Sequence, residues 1–237
     1  MTMLVTSEPA LGKIQKYLKN IGIKSSIPEQ KLDFEEDYLD VDFLRTHDGM
    51  GNVGSLKLEN SPIDYIHILK KQEYAKCGYT AGSHVGMGVH KHTWWKIRFF
   101  LVFPESTRLG PLDIGTITTI KKGLFHSEVE DFMWNGYQKL TTLPPGLVRD
   151  NVSDALYQDQ KLKMLMTKCL LKERVITVSR YSPKDDTKTL KTNSKIVIES
   201  KWKLFKDIYL DSETIEMYER ISKIVKKKVY ELKYHLT

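Results

Sequence analysis

Three histidines carry the most specific chemical possibility in this sequence. The segment 77–92 reads CGYTAGSHVGMGVHKH and holds His84, His90 and His92. Two histidines two positions apart at the start of a strand point both imidazoles to one side, because side chains alternate along a strand. Imidazole suits zinc, iron, nickel or copper. A third ligand could come from His84 in the preceding segment, or from His47 or His126 brought in by folding. One reading is a divalent transition metal held by His84, His90 and His92, serving a metal-dependent enzyme. The plainer reading of the same residues is a set of exposed or hydrogen-bonded loop histidines.

An HxH that opens a strand is similar to that of the cupins, which follow it with a glutamate a few residues on. Here Thr93, Trp94, Trp95, Lys96 and Ile97 stand in those places, so no cupin site is carried over. A second cluster is acidic: Glu29, Asp33, Glu35, Glu36, Asp37, Asp40 and Asp42. Carboxylate oxygens suit magnesium or calcium, but the EF-hand loop needs a central glycine and a terminal glutamate that this stretch lacks. It reads as a solvated acidic face, or as a surface that lies against basic residues of the same chain or of a second copy.

The third cluster is basic. Residues 161–206 hold thirteen Lys/Arg against four Asp/Glu. Lys184, Lys188, Lys191, Lys195, Lys201 and Lys203 are the candidates for a polyanion contact, with Tyr181, Trp202 and Phe205 nearby for stacking. Lysine outnumbers arginine, and no helix-turn-helix, RNA-recognition or zinc-finger pattern accompanies it. An ordinary lysine-rich surface accounts for the same residues. The sequence contains no GxxxxGK[ST], no GxGxxG between strand and helix, and no GxSxG.

Totals bound these readings. The chain has 237 residues and a formal net charge of +7, with 41% aliphatic and aromatic residues, enough for a real core. Charge is unevenly placed: seven basic against ten acidic residues in 1–60, thirty against twenty in the remainder. Two cysteines, Cys77 and Cys169, cannot make a disulfide framework and read as reduced thiols. No apolar run reaches the roughly 18 residues of a membrane helix, and no signal-peptide pattern opens the chain. The expected setting is soluble and cytoplasmic.

Elements must position these groups. A helix is expected over 9–20, capped by Ser7 and ended by Gly22, with Leu11, Ile14, Leu18 and Ile21 on one face. Residues 47–54, HDGMGNVG, read as a glycine-rich loop leading to a short strand at 55–59. Tyr65, Ile66, Ile68 and Leu69 fit a helix or a strand equally. Residues 77–92 read as a loop and as the seam between two regions. From Thr93 the pattern gives strands over 94–103, 112–120 and 124–134, with a turn at 121–123. Two short helices follow over 149–171, broken near Asp159, then strands at 175–181 and 196–204. A capped amphipathic helix closes the chain at 212–232, its stripe formed by Ile215, Tyr218, Ile221, Val225, Val229 and Leu232.

The expected fold class is α+β: a mostly antiparallel five-stranded sheet covered by helices, with a smaller N-terminal α/β region. The organisation is 1–92 for the N-terminal region and 93–237 for a β-β-β-α-β-β-α domain. The expected function is that of a non-catalytic binding or accessory protein acting through its lysine-rich surface. Its partner is nucleic acid or another protein, and a homo-oligomer stays open. The metal-dependent enzyme is the alternative.

Overall fold

A computed structural model of the chain describes residues 8–30, 32, 49–81, 84–107, 109–110, 112–122, 127–135, 151–173, 176–181, 194–200, 203–204, 210 and 212–234. Helix α1 (Glu8–Asn20) forms where the apolar spacing asks for it, burying Leu11, Ile14 and Leu18. Gly22, at φ 85°, ends it. There the amide of Ile23 donates to Leu18 O (2.9 Å) and that of Gly22 to Lys19 O (3.1 Å). This paired closure satisfies carbonyls that the last turn leaves open, and glycine adopts the left-handed conformation without a Cβ penalty.

Among the described residues nine strands form one antiparallel sheet: β1 (Lys24–Ser26), β2 (Gly49–Glu59), β3 (Tyr65–Ala81), β4 (His84–Val102), β5 (Asp113–Lys122), β6 (Ser127–Asn135), β7 (Ile176–Arg180), β8 (Lys195–Ser200) and β9 (Lys203–Leu204). Their spatial order is β1-β2-β3-β4-β8-β7-β5-β6, with β9 beside β4. The α+β class stands, but the sheet exceeds five strands. Three of its additional strands, β1, β2 and β3, come from residues before 93, and the fourth arises because the strand expected over 196–204 is divided into β8 and β9.

Two segments expected as loops are strands. Residues 49–54 begin β2, and of the segment 77–92 the described residues 77–81 and 84–92 belong to β3 and β4, which pair without a register break from Tyr65↔Phe100 to Ala81↔His84. Gly78, Gly86 and Gly88 hide the side-chain alternation there, while cross-strand pairing uses backbone groups that every residue carries. Gly54 does have the left-handed freedom expected of its segment, at φ 138°, beside a register shift between Asn52 and Gly54. A Cβ on it would lie 2.7 Å from Leu11 Cδ1, so its bareness lets α1 rest on β2.

Helices α2 (Asn151–Gln158), α3 (Gln160–Glu173) and α4 (Ser212–Tyr234) share a core with α1. Alternating strand residues face them, including Ile66, Ile68, Phe99, Leu101, Ile196 and Ile198. The break at Asp159 is a cap: its Oδ1 accepts from the amide of Leu162 at 2.9 Å, satisfying a donor at the start of α3. The ring of Tyr218 on α4 stacks on Phe99 with centroids 4.1 Å apart. On the other side of the sheet Phe100, Tyr181 and Val197 make a smaller buried cluster, with Leu32 and Tyr65 against it. No helix among the described residues is long and apolar enough to cross a membrane.

Candidate functional site

Strand β4 sets the spacing of the three histidine positions. Positions 84, 90 and 92 share one parity of an uninterrupted strand. At about 3.3 Å per residue, the backbone of His84 lies roughly 20 Å from that of His90. No single ion spans that distance, since imidazole nitrogens bind zinc at about 2.1 Å. The structure therefore brings positions 90 and 92 together and leaves His84 at the far end. His90 lies opposite Ala75, and His92 opposite Glu73. His47 and His126 lie outside the described residues, as does the acidic stretch 33–42.

Of the candidate lysines, Lys184, Lys188, Lys191 and Lys201 also lie outside the described residues. Lys195 opens β8 opposite Val102, half-buried, and its carbonyl accepts from the amide of Tyr181 at 2.9 Å. Lys203 lies in β9 opposite Trp95.

A charged row that sequence reasoning missed crosses the sheet face opposite the main helical core. Cross-strand register sets Ser55 against His67, His67 against Arg98, Arg98 against Glu199, and Glu199 against Thr177. The Glu199 carboxylate accepts from Lys96 Nζ at 2.7 Å on one oxygen and from Arg98 Nε at 2.8 Å on the other. The Arg98 guanidinium also sits over the rings of Phe100 and Tyr181, 5.4 and 5.7 Å from their centroids. His67 is fully buried. Burial first, and the Arg98 charge second, lower its pKa to about 3, so its imidazole is neutral at neutral pH. Burial also lowers the pKa of Arg180, which donates to Leu109 O at 3.1 Å. With both Glu199 oxygens engaged and His67 closed to solvent, this row braces β3, β4 and β8.

The reachable feature is on the helical side. Helix α3 buries Leu162, Met166 and Cys169 at spacings of four and three. A second stripe runs beside them: Lys161, Met164, Leu165 and Lys168, at i, i+3, i+4 and i+7. With Arg220, Lys223 and Ile224 of α4 it lines a shallow groove of about 380 Å³. Beneath the helix pair Cys169 Sγ meets Met217 Sδ at 3.4 Å. Met164 is 60% exposed, a large apolar side chain facing water. Among the described residues Lys161, Lys168 and Lys223 have no ion-pair partner, whereas Arg220 is held by Glu216 one turn earlier. The groove thus has an apolar floor with ammonium groups on both walls. The sequence does carry the signal, as helical spacing within 161–168, but there it reads as part of one undivided basic block.

Among the described residues no group of three or more His, Cys, Asp or Glu side chains has metal-binding proximity. The chain matches no protein-family model, no curated protein and no solved structure.

Proposed function

We propose that this is a non-catalytic binding protein that holds an acidic partner through its lysine-rich surface, with the α3–α4 groove as the contact. One observation supports the reading above others: Lys161, Lys168 and Lys223 surround an exposed Met164 and a half-buried Ile224, with no carboxylate among the described residues paired to them. Lone surface lysines need no explanation. An exposed apolar patch rimmed by polar or charged residues is one form that an interaction surface takes. The basic block that contains Lys184, Lys188, Lys191, Lys195, Lys201 and Lys203 adds a broader positive field to the same half of the chain.

The test is binding of labelled polyglutamate, duplex DNA, RNA and anionic vesicles across a salt series. At least one polyanion is expected to bind at low salt and to weaken as salt rises. The triple variant Lys161→Glu, Lys168→Glu, Lys223→Glu is expected to bind more weakly and to flatten the salt dependence. For duplex DNA, three lost phosphate contacts correspond to about 3 in log–log slope. Absence of binding to all four probes sinks the proposal. Binding that the triple variant leaves unchanged moves the contact away from the groove.

A further inference from the structure

We infer that the occupant of the α3–α4 groove is an amphipathic helix of a protein partner, apolar along one stripe and acidic on both flanks of it. The inference rests on the groove being the acidic-partner contact, and adds the partner's class. Geometry speaks first. Met164 and Leu165 occupy the middle of a stripe that ends in Lys161 and Lys168, so α3 contributes about 10 Å of apolar floor between two charges. Ile224 continues that floor on α4. A helix laid along such a floor meets it with residues at i, i+3 or i+4, and i+7.

Charge agrees with geometry. Ammonium groups stand on both walls, Lys161 and Lys168 on α3 and Lys223 on α4. Acidic residues on both sides of the partner's apolar stripe are therefore complementary, and they favour encounter as well as register. Methionine at the most exposed floor position fits a surface that adapts to different apolar anchors. The same features disfavour the other polyanions. A nucleic acid gains from stacking and from bidentate arginine, but no aromatic among the described residues lines the groove, and its cations are three lysines and one arginine. Bilayer binding scales with buried apolar area, and the groove supplies only Met164, Leu165 and Ile224.

The experiment selects a random peptide library, of about 15 residues so that a bound helix can form, against the whole protein. Selected peptides are expected to carry apolar residues at i, i+3 or i+4, and i+7, flanked by Asp or Glu. Their synthetic forms are expected to gain helical circular dichroism on binding and to bind Met164→Asp about tenfold more weakly. Met164→Ala should give a smaller loss in the same direction, and Lys161→Glu with Lys168→Glu a loss that salt diminishes. These side chains reach solvent, so each variant should keep the wild-type melting temperature. Peptides that are acidic without apolar periodicity, and that bind Met164→Asp as well as wild type, overturn the helix and leave the acidic-partner reading standing. Failure to enrich any peptide while polyglutamate binds does the same. If polyglutamate also fails, along with DNA, RNA and anionic vesicles, both readings fall. Nucleic acid or vesicle binding that survives Met164→Asp, with no helical peptide selected, overturns the helix and assigns the lysines to those partners instead.

Discussion

At His67 a titratable ring stands where the strand pattern calls for an ordinary core side chain. Its register neighbours are Ser55 on β2 and Arg98 on β4, with Glu199 and Lys96 one step beyond and Phe100 in ring contact at 6.1 Å. A proton on this imidazole would add a buried cation beside a guanidinium. The consequence has a definite sign. Below the unfolded-state pKa of 6.5 the unfolded chain takes up a proton that the folded chain refuses until about pH 3. This part of the stability is fully present above pH 6.5 and is lost as pH falls from 6.5 toward 3. The slope is up to about 1.4 kcal/mol per pH unit. In denaturant titrations, His67→Gln should reduce the fall in unfolding free energy between pH 7 and pH 5 by about 2 kcal/mol. An identical pH dependence in wild type and variant would show that His67 titrates normally in the folded state.

Among the elements, α4 shows how much a helix owes to docking. Its buried stripe of Ile215, Tyr218, Ile221, Val225 and Val229 recurs at threes and fours, and Lys226 reaches Asp64 at 2.8 Å. Lys228 stands 3.7 Å from the α3 cap, Asp159. Glu213 in the first turn and Lys233 in the last complement the helix dipole. Ile221 is completely buried, so Ile221→Asp places an unpaired carboxylate in the core. A loss of about 3 kcal/mol or more is expected, with the melting temperature lower by about 10 °C. An unchanged melting temperature would mean that α4 does not pack on the sheet. In the β3–β4 pair the balance differs: seventeen register pairs hold the hairpin through backbone groups, largely independent of side-chain pattern.

For the whole molecule the relevant quantity is the charge asymmetry. Residues 1–60 are net acidic and the remainder strongly basic, so on the proposed reading a free acidic ligand is expected to compete with carboxylates of the same chain. Exposed charges act over about 10 Å at 0.1 M salt. Neutralising three acids, Glu35→Gln, Glu36→Gln and Asp37→Asn, is expected to tighten polyglutamate binding at low salt, with the gain vanishing at high salt. Equal affinities for the two proteins at low salt would show that this acidic field does not reach the contact surface.

The helices were legible in the sequence because their signals are local. A period of three to four residues, the Asp159 cap and Gly22 after α1 each act within one or two turns, and no distant residue need be known to interpret them. The alternating strands β5, β7 and β8 were legible for the same reason. The sheet's extent was not, because 49–54, 77–81 and 84–92 lack the side-chain alternation that marks a strand, and their pairing depends on backbone partners elsewhere in the chain. Among candidate sites, the sequence named the residues but not their neighbours. His84, His90 and His92 are close in number, yet an extended backbone carries His84 about 20 Å from His90 and farther still from His92. The α3–α4 groove needs two helices some fifty residues apart laid side by side, which sequence spacing does not encode. Its apolar floor and flanking lysines become a surface only because the core claims the opposite side of each helix and leaves this one to water.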